Sequence, residues 1–216
     1  MPNVTIDTLD TFLSPRSGGA IVRGNGAYVV RSVRQIGARR FDLVDTWYDS
    51  TGRETAKQST RTLRGSLSTE IEWVRAGTDS ASLLVTNDRV TAWVVPAGKT
   101  AQLFDGSSTG ERYAAVFVLA SIAQSKPVNG SVFLAPVSSL YGGNPLATQV
   151  DSIRVVRRDT LYQSGKQLPV IVLERGSGEA WVDEVTGSEV LSRGNAGPER
   201  YWWHIRRGVS PPDVRR

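Results

Sequence analysis

The chain has 216 residues, a net charge of +5, one histidine and no cysteine. Without cysteine there is neither a disulfide framework nor a thiolate metal site, and a single histidine excludes a centre built on two or three imidazoles. The length suits one β-rich domain, and a chain of this size buries about 70% of the surface its unfolded form exposes, enough for a core without covalent staples.

The first element, residues 5–13, places Ile6, Leu9 and Leu13 at helical spacing, with Thr5 or Asp7 as N-cap, and reads as a short amphipathic helix. A small strand over 20–23 turns at Gly24-Asn25-Gly26, where Asn-Gly supplies the positive φ of a tight hairpin. Residues 27–36 are rich in valine and read as a strand. Residues 39–48 alternate, with Phe41, Leu43, Asp45 and Trp47 on one face. Asp49-Ser50-Thr51-Gly52 is a turn, and the polar strand 53–63 suits an edge or a face exposed to water. Strands 68–75, 80–86 and 89–95 follow, separated by Gly77-Thr78-Asp79 and Asn87-Asp88 and stopped by Pro96-Ala97-Gly98. Strands recurring about every ten residues with short turns predict an antiparallel meander.

Residues 105–110 read as a loop with Ser107, Ser108 or Thr109 as N-cap and Glu111 in the first turn of a helix over 113–124. That segment is apolar nearly all round, which for a helix means burial; the β-branched run 115–119 leaves a strand as the alternative. Residues 127–141 are extended with turns, and Gly142-Gly143-Asn144-Pro145 is a loop. Strand 149–158, a hairpin turn at 162–166, strands 170–175, 179–185 and 189–193, and a last strand 199–207 complete a second meander. The domain is expected to span 1–207, with 208–216 as a disordered tail.

Candidate chemistry is sparse. Asp49 to Glu54, Asp105 to Glu111 and Asp183 to Glu189 share an Asp/Thr/Gly/Glu flavour, but calcium wants six to eight oxygens at defined spacing, and carboxylates capping glycine turns account for the pattern. No metal or cofactor is expected. His204 has no G-x-S-x-G elbow to serve, and no glycine cluster has the setting of a phosphate loop. The Arg-rich charge is spread along the chain rather than gathered on one face, so a nucleic-acid partner is not expected. The stretch Tyr201 to Arg207 sets aromatics beside arginines, which suits stacking on a base or a headgroup, or an ordinary core strand. The longest apolar run is far short of the ~20 residues of a membrane-spanning helix, and residues 1–4 lack the pattern of a secretory signal.

Two segments carry a family resemblance. One is Val118 to Gly130, a helix running into LASIAQSKPVNG; the other is Asp151 to Leu191, a strand, a polar hairpin, a strand, then AWVDEVTGSEVL. With the order meander, buried helix, meander, they resemble the open or half-closed β-barrel proteins of the bacterial cell envelope. That group holds the LolA/LppX-type lipoprotein carriers and related periplasmic domains of unknown function. The resemblance implies periplasmic or cell-envelope localisation and binding of an acyl chain in the concave face of the sheet, and it carries over no catalytic residue.

The expected fold is therefore mainly β with minor α: an antiparallel curved sheet or open β-barrel wrapped around one central helix. The expected ligand site is aromatic, with Trp47, Trp73, Trp93, Trp181 and Trp203 on the concave face and Tyr113 and Phe117 on the helix. The opposing expectation is that the helix fills the concavity and leaves no cavity. A non-enzymatic, lipid-binding envelope protein is the leading function. An interaction module that meets another envelope protein is the runner-up, and an unrecognised hydrolase stands third.

Overall fold

The structure is a computed structural model and describes residues 4–17, 20–63, 66, 68–86, 89–107, 112–137 and 149–210. Fourteen strands form one antiparallel sheet: β1 (Val4–Pro15), β2 (Val22–Ile36), β3 (Arg40–Tyr48), β4 (Glu54–Leu63), β5 (Thr69–Ala76), β6 (Asp79–Thr86), β7 (Arg89–Val95), β8 (Gln102–Ser107), β9 (Val132–Val137), β10 (Gln149–Gln163), β11 (Lys166–Arg175), β12 (Gly178–Asp183), β13 (Glu189–Asn195) and β14 (Arg200–Arg206). Among the described residues one helix, α1 (Ala115–Gln124), lies between the two halves. The order β8-β7-β6-β5-β4-β3-β2-β1-β14-β13-β12-β11-β10-β9 puts the first and last strands side by side at the centre, with β8 and β9 at the edges. Among the described residues no helix is long and apolar enough to cross a membrane.

The sheet curls strongly. The Thr69 N–H donates to the Arg112 carbonyl at 2.6 Å, and the next residue, Tyr113, donates its N–H to the Pro136 carbonyl at 3.0 Å. A two-residue strap thus ties β5 to β9, although nine strands lie between them in the sheet order. Neighbouring strands are about 4.8 Å apart, so a flat sheet would hold these two nearly fifty ångströms apart. The result is an open barrel.

Side chains alternate across the sheet, and the inner face is the one that meets α1. There Leu119, Ile122 and Ala123 of the helix bury against Ile153, Val155, Ile171, Leu173, Ala180 and Val182. The outer face of the same strands carries a second core: Trp181, Leu191, Trp203 and Ile205, with Val170 and Val172. Strand β11 reads Val170-Ile171-Val172-Leu173 because both of its faces are buried. A bulge in β10 between Val155 and Arg157 shifts the alternation, so Leu161 joins the outer core. In the other half Val74, Ala81, Leu83, Val90 and Ala92 form an inner cluster.

Several expectations are corrected. Residues 5–13 are strand, not helix: β1 pairs with β2 on one side and β14 on the other, and two ladders outweigh a marginal helical period. Gly24-Asn25-Gly26 is no hairpin but an irregularity inside β2, where the register to β1 shifts between Asp10 and Phe12 and Gly26 takes φ 87°. The polar strand lies well inside the sheet; its Thr60 and Thr62 are buried, and Gln58 donates to Glu72 at 2.9 Å. Gln102–Ser107 is a strand where a loop was expected from residue 105, its Asp105 paired with Arg89.

The helix begins at Ala115, and its N-cap Ala114 makes no side-chain cap hydrogen bond. Tyr113 therefore belongs to the strap. The expected caps Ser108 and Thr109, Glu111, the Asn87-Asp88 turn and the Gly142 to Pro145 loop lie outside the described residues. The tail expected from Gly208 is ordered through Ser210: Ser164 donates to the Gly208 carbonyl and Ser210 to the Tyr162 carbonyl, each at 2.9 Å, which seats Val209 in the outer core. Residues 211–216 lie outside the described residues.

Candidate functional site

The helix fills one half of the concavity and leaves a cleft on the other. Leu119, Ile122 and Ala123 face strands β9–β12. Val116, Phe117, Ala120 and Gln124, a second stripe at i, i+4 spacing, face a cavity of about 290 Å³. Its other walls are Thr5 and Asp7 of β1, Arg31 and Val33 of β2, Phe41 of β3, and the turn Thr186-Gly187-Ser188 with Glu189. The Phe117 and Phe41 rings meet at 5.9 Å between centroids.

The turn that closes this wall is built by its own sequence. Asp183 accepts from the Val185 and Thr186 N–H groups at 2.7 and 3.1 Å, and the Gly187 N–H donates to the Asp183 carbonyl at 2.9 Å. Gly187 takes φ 72°, and a Cβ there would sit 3.0 Å from the Ala120 Cβ, so glycine lets the turn lie flat on the helix. Asp49 does the same work at Gly52, accepting from Thr51 and Arg53. The carboxylates of both motifs are aimed at backbone N–H groups.

The floor of the cleft is ionic. Arg31 forks onto Asp45 at 2.8 and 2.9 Å and reaches Glu189 at 3.0 Å. Asp45 is its neighbour on β3, but Glu189 lies three strands away, and the bridge spans the concavity. Arg206 meets Asp7 at 3.2 Å and also donates to the Glu189 carbonyl at 3.1 Å. Burial alone would lower the Arg31 pKa, but the charges of Glu189 and Asp45 and its hydrogen bonds to them raise it. Burial likewise pushes the Glu189 carboxyl up, and Arg31 together with a hydrogen bond from Ser192 holds it below its ordinary value. His204 is depressed by burial; Glu189 and Asp45 only partly oppose this, so the ring is neutral at pH 7. Its ring lies against Trp202 at 4.7 Å.

The aromatic residues expected to line one concave face are divided. Trp47 is on the inner face, paired with Val29 on β2 and sharing a side with Leu43 and Asp45. Phe117 lines the cleft. Trp73 and Trp93 are on the outer face, both opposite Ser82 of β6, and Trp93 is half exposed. Trp181 and Trp203 are in the outer core, 5.9 Å apart. Tyr113 is in the strap. The reason is that both faces of this sheet bury large side chains, so a tryptophan per strand does not mark the concave side.

The residues that sequence reasoning passed over are Asp7, Arg31, Asp45 and Glu189. A signal for two of them was present: Arg31 sits between Val29 and Val33, and Asp45 between Leu43 and Trp47, each a lone charge on an apolar face. Ser192 stands opposite His204 on the inner face, and neither lines the cleft.

No family model matches the chain, and no curated protein matches it. Among solved structures it is similar to a β-barrel-like protein of the domain of unknown function DUF1849 from Brucella abortus, at 7% identity and a TM-score of 0.46, with 98% of each chain covered.

Proposed function

We propose that the protein is a non-enzymatic component of the bacterial cell envelope that shelters the apolar part of a small lipid-like molecule in the cleft beside α1. One observation carries this reading: the helix does not fill the concavity, and the space it leaves has an apolar wall (Val33, Phe41, Val116, Phe117, Ala120) above a polar floor. Ligand sites have this make-up, mostly apolar with a few placed polar groups. At about 290 Å³ the cleft is near the lower end of the ~300–1,000 Å³ usual for such sites. At the ~30 Å³ that a water occupies, it holds on the order of ten heavy atoms, a short chain or the end of a longer one. The sequence resemblance to LolA/LppX-type carriers supports the envelope location and the ligand class.

Titration with an uncharged apolar fluorophore such as N-phenyl-naphthylamine tests the reading. Saturable binding is expected, and Val116→Trp, which puts an indole into the cleft, abolishes it. Absence of binding by the unmodified protein, together with no co-purifying lipid in native mass spectrometry, overturns the ligand reading. Cell fractionation that finds the protein in the cytoplasm overturns the envelope assignment.

A further inference from the structure

We propose that the cleft selects amphiphiles whose polar end is an ammonium group, not a carboxylate; this rests on the ligand reading above. The floor sets three carboxylates, Asp7, Asp45 and Glu189, against two guanidiniums, Arg31 and Arg206. With His204 neutral, one negative charge is in excess. Arg31 gives its donors to Asp45 and Glu189, and Arg206 does not line the cleft, so neither guanidinium is presented to an incoming anion.

The three carboxylates are not equally engaged. Asp45 gives both oxygens to Arg31 at 2.8 and 2.9 Å, and Glu189 accepts from Arg31 at 3.0 Å. Asp7 lines the cleft itself and meets Arg206 only at 3.2 and 3.3 Å. The Arg206 Nε makes no hydrogen bond, so the pair rests on one long hydrogen bond from Nη2. Asp7 therefore keeps acceptor capacity for a ligand in the cleft that it lines.

Two further features favour a cation. Gln124, the last residue of α1, lines the cleft, and a helix C-terminus carries negative partial charge. Thr5, two residues from Asp7 along β1, is exposed, so water and Asp7 both reach a charged end placed there, with the chain against Val116 and Phe117. An octyl chain with one polar end has the right number of heavy atoms for the space.

The test is competition against the bound fluorophore by octylammonium, octanol and octanoate at pH 7. Octylammonium is expected to bind at least about tenfold more tightly than octanoate, the size of one charge-assisted hydrogen bond. Asp7→Asn, nearly isosteric, should bring the two within about twofold. Raising the salt on the unmodified protein should narrow the same gap, because an ionic preference is screened, and this arm does not depend on how the variant folds. Octanoate binding as well as octylammonium, or a preference untouched by both salt and Asp7→Asn, overturns the ammonium assignment while leaving the ligand reading intact. Failure of all three, octanol included, to displace the probe overturns both.

Discussion

Trp203 donates its indole N–H to the Ser14 hydroxyl at 2.9 Å, joining the last strand of the sheet to the first inside a core that faces away from the helix. Both groups are buried. Ser14→Ala removes the acceptor and leaves a buried donor without a partner, which costs about 1–3 kcal/mol. The expected result is a lower urea midpoint with an unchanged slope. A midpoint equal to that of the unmodified protein would show that the indole finds water or another acceptor.

Arg31 holds two carboxylates across the concavity, and its side chain is only 16% exposed. Arg31→Leu leaves Asp45 and Glu189 facing each other with no cation between them. Breaking one side of a buried ion pair costs about 3–5 kcal/mol. Replacing all three with Leu, Asn and Gln should recover a large part of that loss. Equal destabilisation by the single and triple variants would mean that Arg31 matters through its packing and not through its charge.

Stability should fall in two stages on acidification. His204 titrates near 6.5 when unfolded and lower when folded, so below pH 6.5 the unfolded chain takes up a proton that the folded one refuses. That loss runs from 6.5 down to the folded value. Glu189 is held below its ordinary 4.5 in the folded protein, so its contribution is complete above 4.5 and is lost as pH falls through the folded value. Urea midpoints measured from about pH 7 to about pH 3 should show both stages. His204→Gln should erase the first and keep the second; a first stage that survives would assign it to another group.

Gly194 on β13 faces Trp202 of β14. A Cβ at this position would lie 2.6 Å from the Trp202 Cε2 and 2.9 Å from its Nε1. Gly194→Ala must push the indole off the His204 ring, an overpacking change that costs about 1–3 kcal/mol. Near-ultraviolet circular dichroism should change along with the stability. An unchanged aromatic signal would show that the backbone yields and the ring does not.

The alternating strands were readable from residue order. Phe41, Leu43, Asp45 and Trp47 do share a face, and the turns at Gly52, Gly77 and Gly187 take the positive φ that their position demands. The helix was readable too, from alanine content and the lack of glycine and proline, though it starts two residues later than the pattern suggested. The first strand was not. Ile6, Leu9 and Leu13 fit a helical stripe by spacing, yet in the strand Ile6 faces out while Leu9 and Leu13, in unbroken register with Arg206 and Trp202 of β14, face in. Three apolar positions are too few to tell the two periods apart.

The cleft was legible only in part. A lone arginine on an apolar face of one strand and a lone aspartate on the next call for each other, and these are Arg31 and Asp45. Glu189 is 158 residues from Arg31 in the chain. Nothing local to either residue announces the contact, which exists only because the sheet curls enough to face β2 with β13.

The pairing of β1 with β14 also sets the order in which the molecule can be completed. Strands β1 to β8 can zip as successive hairpins while the chain is still being made, and β9 to β13 can form a second ladder behind them. The seam between these ladders waits for residues 200–206 to emerge. Until then β1 offers an unpaired edge, of the kind that recruits foreign strands. Truncation within β14 would therefore remove far more than seven residues' worth of structure: it would leave two half-sheets, each with an open flank, and would divide Arg31 from Glu189.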